Sequence, residues 1–508
     1  MFKQKKITKS SWWDNISHKS RIWKKIAMVF FVIICIAGVG YAGQFVLIKT
    51  QAALWYLSDN TIDIVSNTFW KPMIRDAHGN VNILLVWIGG ENHDGWMLTD
   101  AIIIAAWNPE LRSISMISIP RDTYVDIPEH NIRWRINQVF STAYYRNDRN
   151  LKTAAEMLAR EVEEMTGIDA PYYAVVDFNG FKTVIDTIGW IDIYVPERVY
   201  DTAYPNDANR WYTTFHIERG QQRIDGDTAL KYARSRHSSS DFARSARQQI
   251  IIEATIKEIL RKENIQNVST IKKLYDEYTK MVTTNIGNQE IIGMIKYIFS
   301  LEHMFNFWLT STCSHRWWQL MQTGCFLYTP NREWFGGASV LLTNGSTYND
   351  LSFYDYTRNF GHFVAQNQEF LIEWARIKVL NAIDRSYAQQ LRKGRDGHAT
   401  QIAVKLKKYG FDIVDAGNAE EPQELTSVII YGDEDYDTTI SLFERFFSIS
   451  DIERIVHNIE EEEEENENQE NETMEILEQE EPLYDADLVI ILWNEYLDTR
   501  PEQFNYNM

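Results

Sequence analysis

Cysteine is nearly absent from this chain, with three in 508 residues. No C-x-x-C or H-E-x-x-H spacing occurs, so the usual zinc patterns are missing. Cys35 lies in an apolar run, while Cys313 and Cys325 stand open as one disulfide or as two separate thiols. There is no G-x-S-x-G elbow and no glycine-rich phosphate loop; "WIGGENHDG" (87–95) is too irregular to cradle a nucleotide. Ser238, Ser239 and Ser240 follow His237, but adjacent residues rarely face each other, so the run reads as a helix cap rather than a nucleophile. A basic field is lacking too. The formal charge is −20, which removes the electrostatic basis for nucleic-acid binding. Thirteen glutamates between Glu460 and Glu481 carry most of it; without them the charge is −7. The stretch 457–482 therefore reads as an acidic disordered insertion.

Long apolar runs are scarce, with one exception. "IAMVFFVIICIAGVGYAGQFVLI" (26–48) contains no charged side chain, and its 23 residues exceed the roughly 20 that span a bilayer as a helix. A cleaved signal peptide is the competing reading, with Gly40-Tyr41-Ala42 as a small-residue site. The long basic leader 1–25 and the continuation to Ile48 favour an uncleaved anchor. Lys3, Lys5, Lys6, Lys24 and Lys25 place the leader in the cytoplasm and the bulk of the chain outside, at the cell membrane.

The chain is too long for one core, and 44% hydrophobic residues are ample for two or three. A stalk over 49–78 precedes buried-strand patterns at 81–89, 101–107 and 113–119. Residues 151–166 have apolar positions at helical spacing and end at Gly167; a strand over 172–178, a helix over 179–188 and a strand over 191–195 follow. This alternation predicts an α/β sheet domain over 79–262, closed by a helix from about 240 to 260. Residues 263–371 read as a helical and loop extension. A smaller α/β domain is expected over 372–495, with strands "IKVLNA", "FDIVDAG", "TSVIIY" and "DLVIIL" and a helix around Ala399, Ile402, Ala403 and Leu406.

Two groups of residues carry chemistry. If 101–107 and 113–119 form a hairpin around "NPELR", Asp100 and Asp122 emerge side by side at its open end. Two carboxylates so placed repel unless a cation or an arginine lies between them, and carboxylate pairs with substrate phosphates commonly hold Mg²⁺. Two ordinary strand-end aspartates capping turns are the alternative. The second group is Arg234, Arg236, Arg244 and Arg247, with Asp241 between the pairs. Arg234 and Arg236 alternate in an extended or turning segment; Asp241 begins a helix on which Arg244 and Gln248 share a face. Arg247 points elsewhere on that helix. Arginine forks match phosphate, and the helix start adds amides, so the cluster reads as an anion site rather than a solvated surface of salt bridges.

In order, "LTDAIIIAAWNPELRSISMISIPRDTYVDIP", "RINQVF", "VVDFNGFKTVIDTIGWIDIYVP" and "ERGQQRIDGDTALKYARSRHSSSDFARSARQQ" resemble a LytR-CpsA-Psr protein over roughly 80–260. Residues 372–495 more weakly resemble the LytR C-terminal domain. The resemblance implies a layered α/β/α domain after one transmembrane helix. It also implies a phosphotransferase that moves a glycopolymer from a polyprenyl pyrophosphate carrier to peptidoglycan. By motif, Asp100 and Asp122 would bind Mg²⁺, and Arg121, Arg135, Arg234, Arg236, Arg244 and Gln248 would bind the pyrophosphate. Arg121 and Asp241 are the catalytic candidates, Asp241 to orient arginines or act near the acceptor hydroxyl. "NIRWRINQ" leaves Arg133 and Arg135 open, with Arg135 carried as the candidate. Two positions depart from the family pattern: Gly89-Gly90-Glu91 stands for Gly-x-Asp, and Gly189-Trp190, at a turn, for Gly-Gly. The lipid tail would need an apolar groove between the sheet and the helices 151–166 and 240–260. A pyrophosphatase acting on the same lipid, or a non-catalytic lipid- or wall-binding scaffold, are the rival readings.

Overall fold

The computed structural model describes residues 71–90, 95–127, 132–205, 212–235, 241–259, 261, 282–287, 289–290, 297, 300–311, 326–390, 397–419, 425–432, 434–447, 449, 451–455 and 486–493. The expected anchor 26–48, Glu91, Arg236, the pair Cys313 and Cys325, and the acidic stretch 457–482 lie outside these, as does the side chain of Asp241. Among the described residues no helix is long and apolar enough to cross a membrane. Two compact units result: one runs to Leu309 and includes Leu327–Gly361, the other comprises Thr310–Phe326 and the chain from His362.

The first unit opens with β1 (Val81–Ile88), β2 (Thr99–Asn108), β3 (Ser113–Ile119), β4 (Tyr124–Ile127), β5 (Ile132–Arg135), α1 (Asn137–Arg146) and α2 (Leu151–Thr166). It continues through β6 (Tyr172–Asp177), α3 (Phe178–Ile188), β7 (Ile191–Val195), β8 (Val199–Pro205), β9 (Tyr212–Ile217) and β10 (Gly220–Ile224). Next come α4 (Gly226–Arg234), α5 (Asp241–Ile259), β11 (Val282–Thr284), β12 (His303–Trp308), β13 (Leu327–Tyr328), β14 (Leu342–Thr343) and the start of α6 (Asp355–Gln366). The expected helix boundaries follow from their caps. Asn150 accepts from the Thr153 amide at the start of α2, and Gly167 closes it at φ 70°. Asp177 caps α3 through the Gly180 amide.

The central sheet has the order β11-β6-β1-β2-β3-β12. β1 is antiparallel to β2 and parallel to β6, and β12 is parallel to β3. One face presents Ile103, Ala105, Trp107 and Met116, against which Ile252 of α5 packs; further along it, Trp87 and Ala101 meet α3, α4 and α5. Residues of the opposite parity, such as Leu84, Ile104 and Ile117, are fully buried too, on the side where α1 meets β2 and α2 meets β6. The unit is therefore the expected three-layer α/β/α arrangement. Because strand side chains alternate, α2 and α5 cover opposite faces.

A difference lies at the sheet edges. Residues 263–371 were expected to form helices and loops, yet β11 and β12 come from them and flank the sheet on both sides. In "HMFNFW" the alternation is real: Phe305 and Phe307 are buried on one side, while Asn306 Nδ2 donates to Glu253 of α5 on the other. The expected turn at Gly189-Trp190 is present. Trp190 itself adopts φ 73°, a left-handed conformation that costs a non-glycine residue about 1–2 kcal/mol.

The second unit contains the end of α6, then α7 (Gln368–Glu373), β15 (Arg376–Asn381), α8 (Arg385–Gln390), α9 (His398–Lys408) and β16 (Asp412–Asn418). β17 (Ser427–Tyr431), α10 (Asp437–Phe446), β18 (Asp451–Ile455) and β19 (Leu488–Leu492) complete it. Its sheet runs β16-β15-β19-β17-β18. Every expected strand is present, and β18 is additional. Glu373 caps α10 by accepting the amides of Thr438 and Thr439, each at 2.8 Å.

Glu161 in α2 is buried and accepts the Tyr354 hydroxyl at 2.8 Å. Burial pushes its carboxyl up from 4.5 to about 7. The unfolded chain ionises this group more readily than the fold does, so stability falls as pH rises from 4.5 to about 7 and is flat above. The loss amounts to at most about 3 kcal/mol. Glu161→Gln should raise the urea midpoint at pH 8, and the gain should vanish near pH 4.5. Equal midpoints at pH 8 would show that the carboxyl is ionised at no cost.

Candidate functional site

The site begins with the register of the β2–β3 hairpin. Ile102 lies opposite Ile119 and Ile104 opposite Ile117. Continued outward, this puts Asp100 opposite Arg121, not beside Asp122 as expected; the hairpin is offset by one residue. That offset inserts an arginine between the two carboxylates. Arg121 Nη1 donates to Asp100 Oδ1, and its Nε lies 3.9 Å from Asp122 Oδ2. The three side chains are only 17–23% exposed, so the repulsion between the acids is answered by a partly desolvated cation. A hydrogen bond of this charged kind contributes about 1.5–3 kcal/mol.

The β4–β5 hairpin settles which neighbouring arginine joins. Tyr124 pairs with Arg135 and Asp126 with Arg133. Arg135 Nε lies 3.4 Å from Asp122, whereas Arg133 Nε lies 3.7 Å from Asp126, farther out on the hairpin. Arg135 belongs to the central set.

At the other side of the same sheet edge, Ile88 pairs with Thr99 on β2 and with Asp177 on β6. Gly90 follows at φ 77°, and a Cβ there would lie 2.9 Å from Asp177 Cβ. Only glycine lets the chain turn this close to β6. Phe178 begins α3, and the Arg234 guanidinium stacks 4.5 Å above its ring. Arg234 Nη1 also donates to the Tyr204 hydroxyl at 3.3 Å. Arg234 was expected in an extended or turning segment. It is instead the last residue of α4, a helix capped by Asp225 with Ala229, Leu230 and Ala233 buried. Gly226 allows the close seat of α4, since a Cβ there would meet Lys182 O at 2.3 Å.

On α5, Arg244 and Gln248 share a face as expected, each 3% exposed, and Gln248 Nε2 donates to the Asp100 carbonyl at 3.4 Å. Arg247 points elsewhere, also as expected, but it is not a surface residue. Its Nε donates to Tyr232 O at 2.9 Å and its Nη2 to Ser235 O, so it holds the C-terminal carbonyls of α4. Burial lowers its pKa from the ordinary arginine value. Two contributions escaped sequence reasoning. Gln249 Nε2 donates at 2.9 Å to both Ser118 Oγ and Phe307 O, pinning α5 to β3 and β12. Ser235 Oγ donates to Asp201 at 2.8 Å and fixes the end of α4. No sequence pattern marks either one.

Asp100, Arg121, Asp122, Arg135 and Gln248 thus form one connected network, with Arg244 a turn away from Gln248. Arg234 lies at the same sheet edge, beyond β1. Asp241 begins α5. These residues lie at the carboxyl ends of the parallel strands β1 and β6, the end at which open α/β sheets bind ligands. Among the described residues no three His, Cys, Asp or Glu side chains cluster to hold a metal. Asp100 and Asp122 are hard oxygen donors, a pair suited to Mg²⁺ when a substrate supplies further oxygens.

The sequence model of the LytR_cpsA_psr family matches residues 56–307. The polyisoprenyl-teichoic acid–peptidoglycan teichoic acid transferase TagV of Bacillus subtilis (strain 168) is 30% identical over 200 residues, 39% of this chain and 47% of TagV. Regulatory protein MsrR of Staphylococcus aureus (strain COL) is 28% identical over 238 residues, 46% of this chain and 65% of MsrR. The chain thus spans about half to two thirds of these relatives. The crystal structure of B. subtilis TagV aligns at a TM-score of 0.41 and 22% identity, covering 56% of this chain and 97% of the crystallised chain. That overlap is too loose to transfer residue roles.

Arg247→Ala should destabilise the protein by about 3 kcal/mol, because it strands two buried carbonyls and removes a charge-assisted donor. Urea unfolding beside Arg198→Ala, an exposed arginine, measures the difference. Equal effects of the two substitutions would mean that α4 is held without Arg247.

Proposed function

Residues 56–307 belong to the LytR-CpsA-Psr family, and on that premise we propose that the chain is a phosphotransferase attaching a glycopolymer from a polyprenyl pyrophosphate carrier to peptidoglycan. The observation that carries this reading is Arg121 held between Asp100 and Asp122, with Arg135 and Gln248 against them, at the sheet's carboxyl edge. Phosphoryl transfer through a loose transition state asks mainly for positioning and charge neutralisation. A set of arginines restrained by carboxylates and rings supplies both, with no covalent nucleophile.

In this reading Arg121, Arg135, Arg234, Arg236, Arg244 and Gln248 hold the pyrophosphate oxygens. Arg121 is the central group, because the acids on either side fix its guanidinium before substrate arrives. Asp241, at the start of α5, orients arginines or receives the acceptor hydroxyl. Asp100 and Asp122 would hold Mg²⁺, which neutralises charge on the pyrophosphate when bound. The apolar segment 26–48 would keep the site outside the cell and close to the membrane, where a polyprenyl carrier resides. Hydrolysis of the same lipid differs only in the acceptor, water in place of a sugar hydroxyl. The TagV name, which specifies a transferase, favours transfer.

Asp100→Asn and Asp122→Asn should each abolish Mg²⁺-dependent transfer from a synthetic polyprenyl pyrophosphate while leaving the circular dichroism spectrum intact. Full turnover by both variants would remove these residues from a metal role.

Arg234→Ala should weaken binding of the same lipid by roughly tenfold to a hundredfold, and Arg234→Lys should recover only part of it. An unchanged dissociation constant for Arg234→Ala would make its stack on Phe178 purely structural.

A further inference from the structure

Beyond Arg135, the outer face of the β4–β5 hairpin continues without a break from the central charged network. In an antiparallel pair, opposite residues share a face, so Tyr124, Asp126, Arg133 and Arg135 point to one side. The segment 331–348 is fastened beside it: Leu341 N donates to Asp122 O at 3.0 Å and Tyr124 N to Leu341 O at 2.8 Å. This segment lays aromatic rings along the hairpin. Phe335 stands edge-on to Tyr124 at 4.8 Å and to Tyr348 at 5.3 Å. The Arg133 guanidinium lies 4.8 Å over the Tyr348 ring and donates to the Tyr348 carbonyl. Tyr348 is 40% exposed, and Trp334, the residue before Phe335, is 55% exposed.

The charged groups along this shelf sum to −1. Arg133 is paired with Asp126, while Arg332, Glu333 and Asp350 add one positive and two negative charges nearby. A polyanionic chain finds no net attraction here. Flat pyranose rings do: their C–H faces pack on aromatic rings, and their hydroxyls and N-acetyl groups take the bidentate bonds of Arg133 and Asp126.

We infer that this shelf binds the uncharged N-acetylhexosamine strand that accepts the polymer, with Trp334 and Tyr348 as stacking rings and Arg133 and Asp126 as hydroxyl partners. The ligand class rests on the transferase reading above; the shelf then makes a further binding site for the second substrate, next to the pyrophosphate ligands. The acceptor hydroxyl would be delivered past Arg135 toward Arg121.

The test is titration of the full chain in detergent with chitotetraose, an N-acetylglucosamine tetramer, and separately with inorganic pyrophosphate. Tyr348→Ala and Trp334→Ala should each weaken chitotetraose binding by about fivefold to tenfold, and Tyr348→Phe should bind normally because the ring is kept. Pyrophosphate affinity should be unchanged in all three. Arg234→Ala should do the reverse, losing pyrophosphate but not chitotetraose. Wild-type protein that fails to bind chitotetraose at millimolar concentration, or alanine variants that bind it normally, would overturn the inference. So would loss of polyglycerol phosphate binding in those variants with chitotetraose unaffected. If chitotetraose behaves as expected but pyrophosphate never binds, the shelf stands and the pyrophosphate site falls.

Discussion

One arginine between two like charges organises the site. Asp100 and Asp122 end adjacent strands of a hairpin, and partial burial makes their mutual repulsion expensive. Arg121 is the residue that places a positive charge between them. The same contact constrains the arginine, which in the proposed function would otherwise lose rotamer freedom only on binding the pyrophosphate. Holding it in advance moves that entropic cost from binding to folding. Arg135 and Gln248 are then placed by their relation to these acids, not to a substrate.

The helix α5 ties this arrangement to the rest of the unit through three consecutive residues with three targets. Arg247 reaches α4, Gln248 reaches the backbone of β2, and Gln249 reaches β3 and β12. Successive helical residues point about 100° apart, so one helix addresses two layers and the sheet end together. This explains why the arginine-rich stretch is not a surface patch. Of its four arginines, Arg244 and Arg247 are buried, and Arg247 serves the helix that presents Arg234.

Much of this was legible in the residues. Buried parallel and antiparallel strands appear as apolar runs, and Asn150, Gly167, Asp177 and Gly189 mark helix ends with ordinary cap chemistry. Other features had no local signature. The hairpin register turned on a single residue, and a shift of one exchanges which side chains meet; "NPELR" alone did not specify it. Arg234 was misplaced because its neighbours Ser235 and Arg236 drew attention to alternation, although Ala229, Leu230 and Ala233 carry a helical spacing. β12 was missed because an aromatic six-residue strand looks like any apolar fragment until its partner is known, and its partner lies almost two hundred positions earlier.

That separation shapes how the molecule must come together. β1 and β6 pair residues 83 and 172, and β3 and β12 pair residues 113 and 303. Contacts so far apart in the chain reward the closure of long loops only after the loops are closed, which makes the fold slow to nucleate. Until β12 arrives, β3 is an apolar strand with an open edge, able to pair with any other extended chain. A chain emerging from its amino end therefore carries the central strands first and their guard last. The aromatic strand at the sheet's margin is what brings that vulnerable interval to a close.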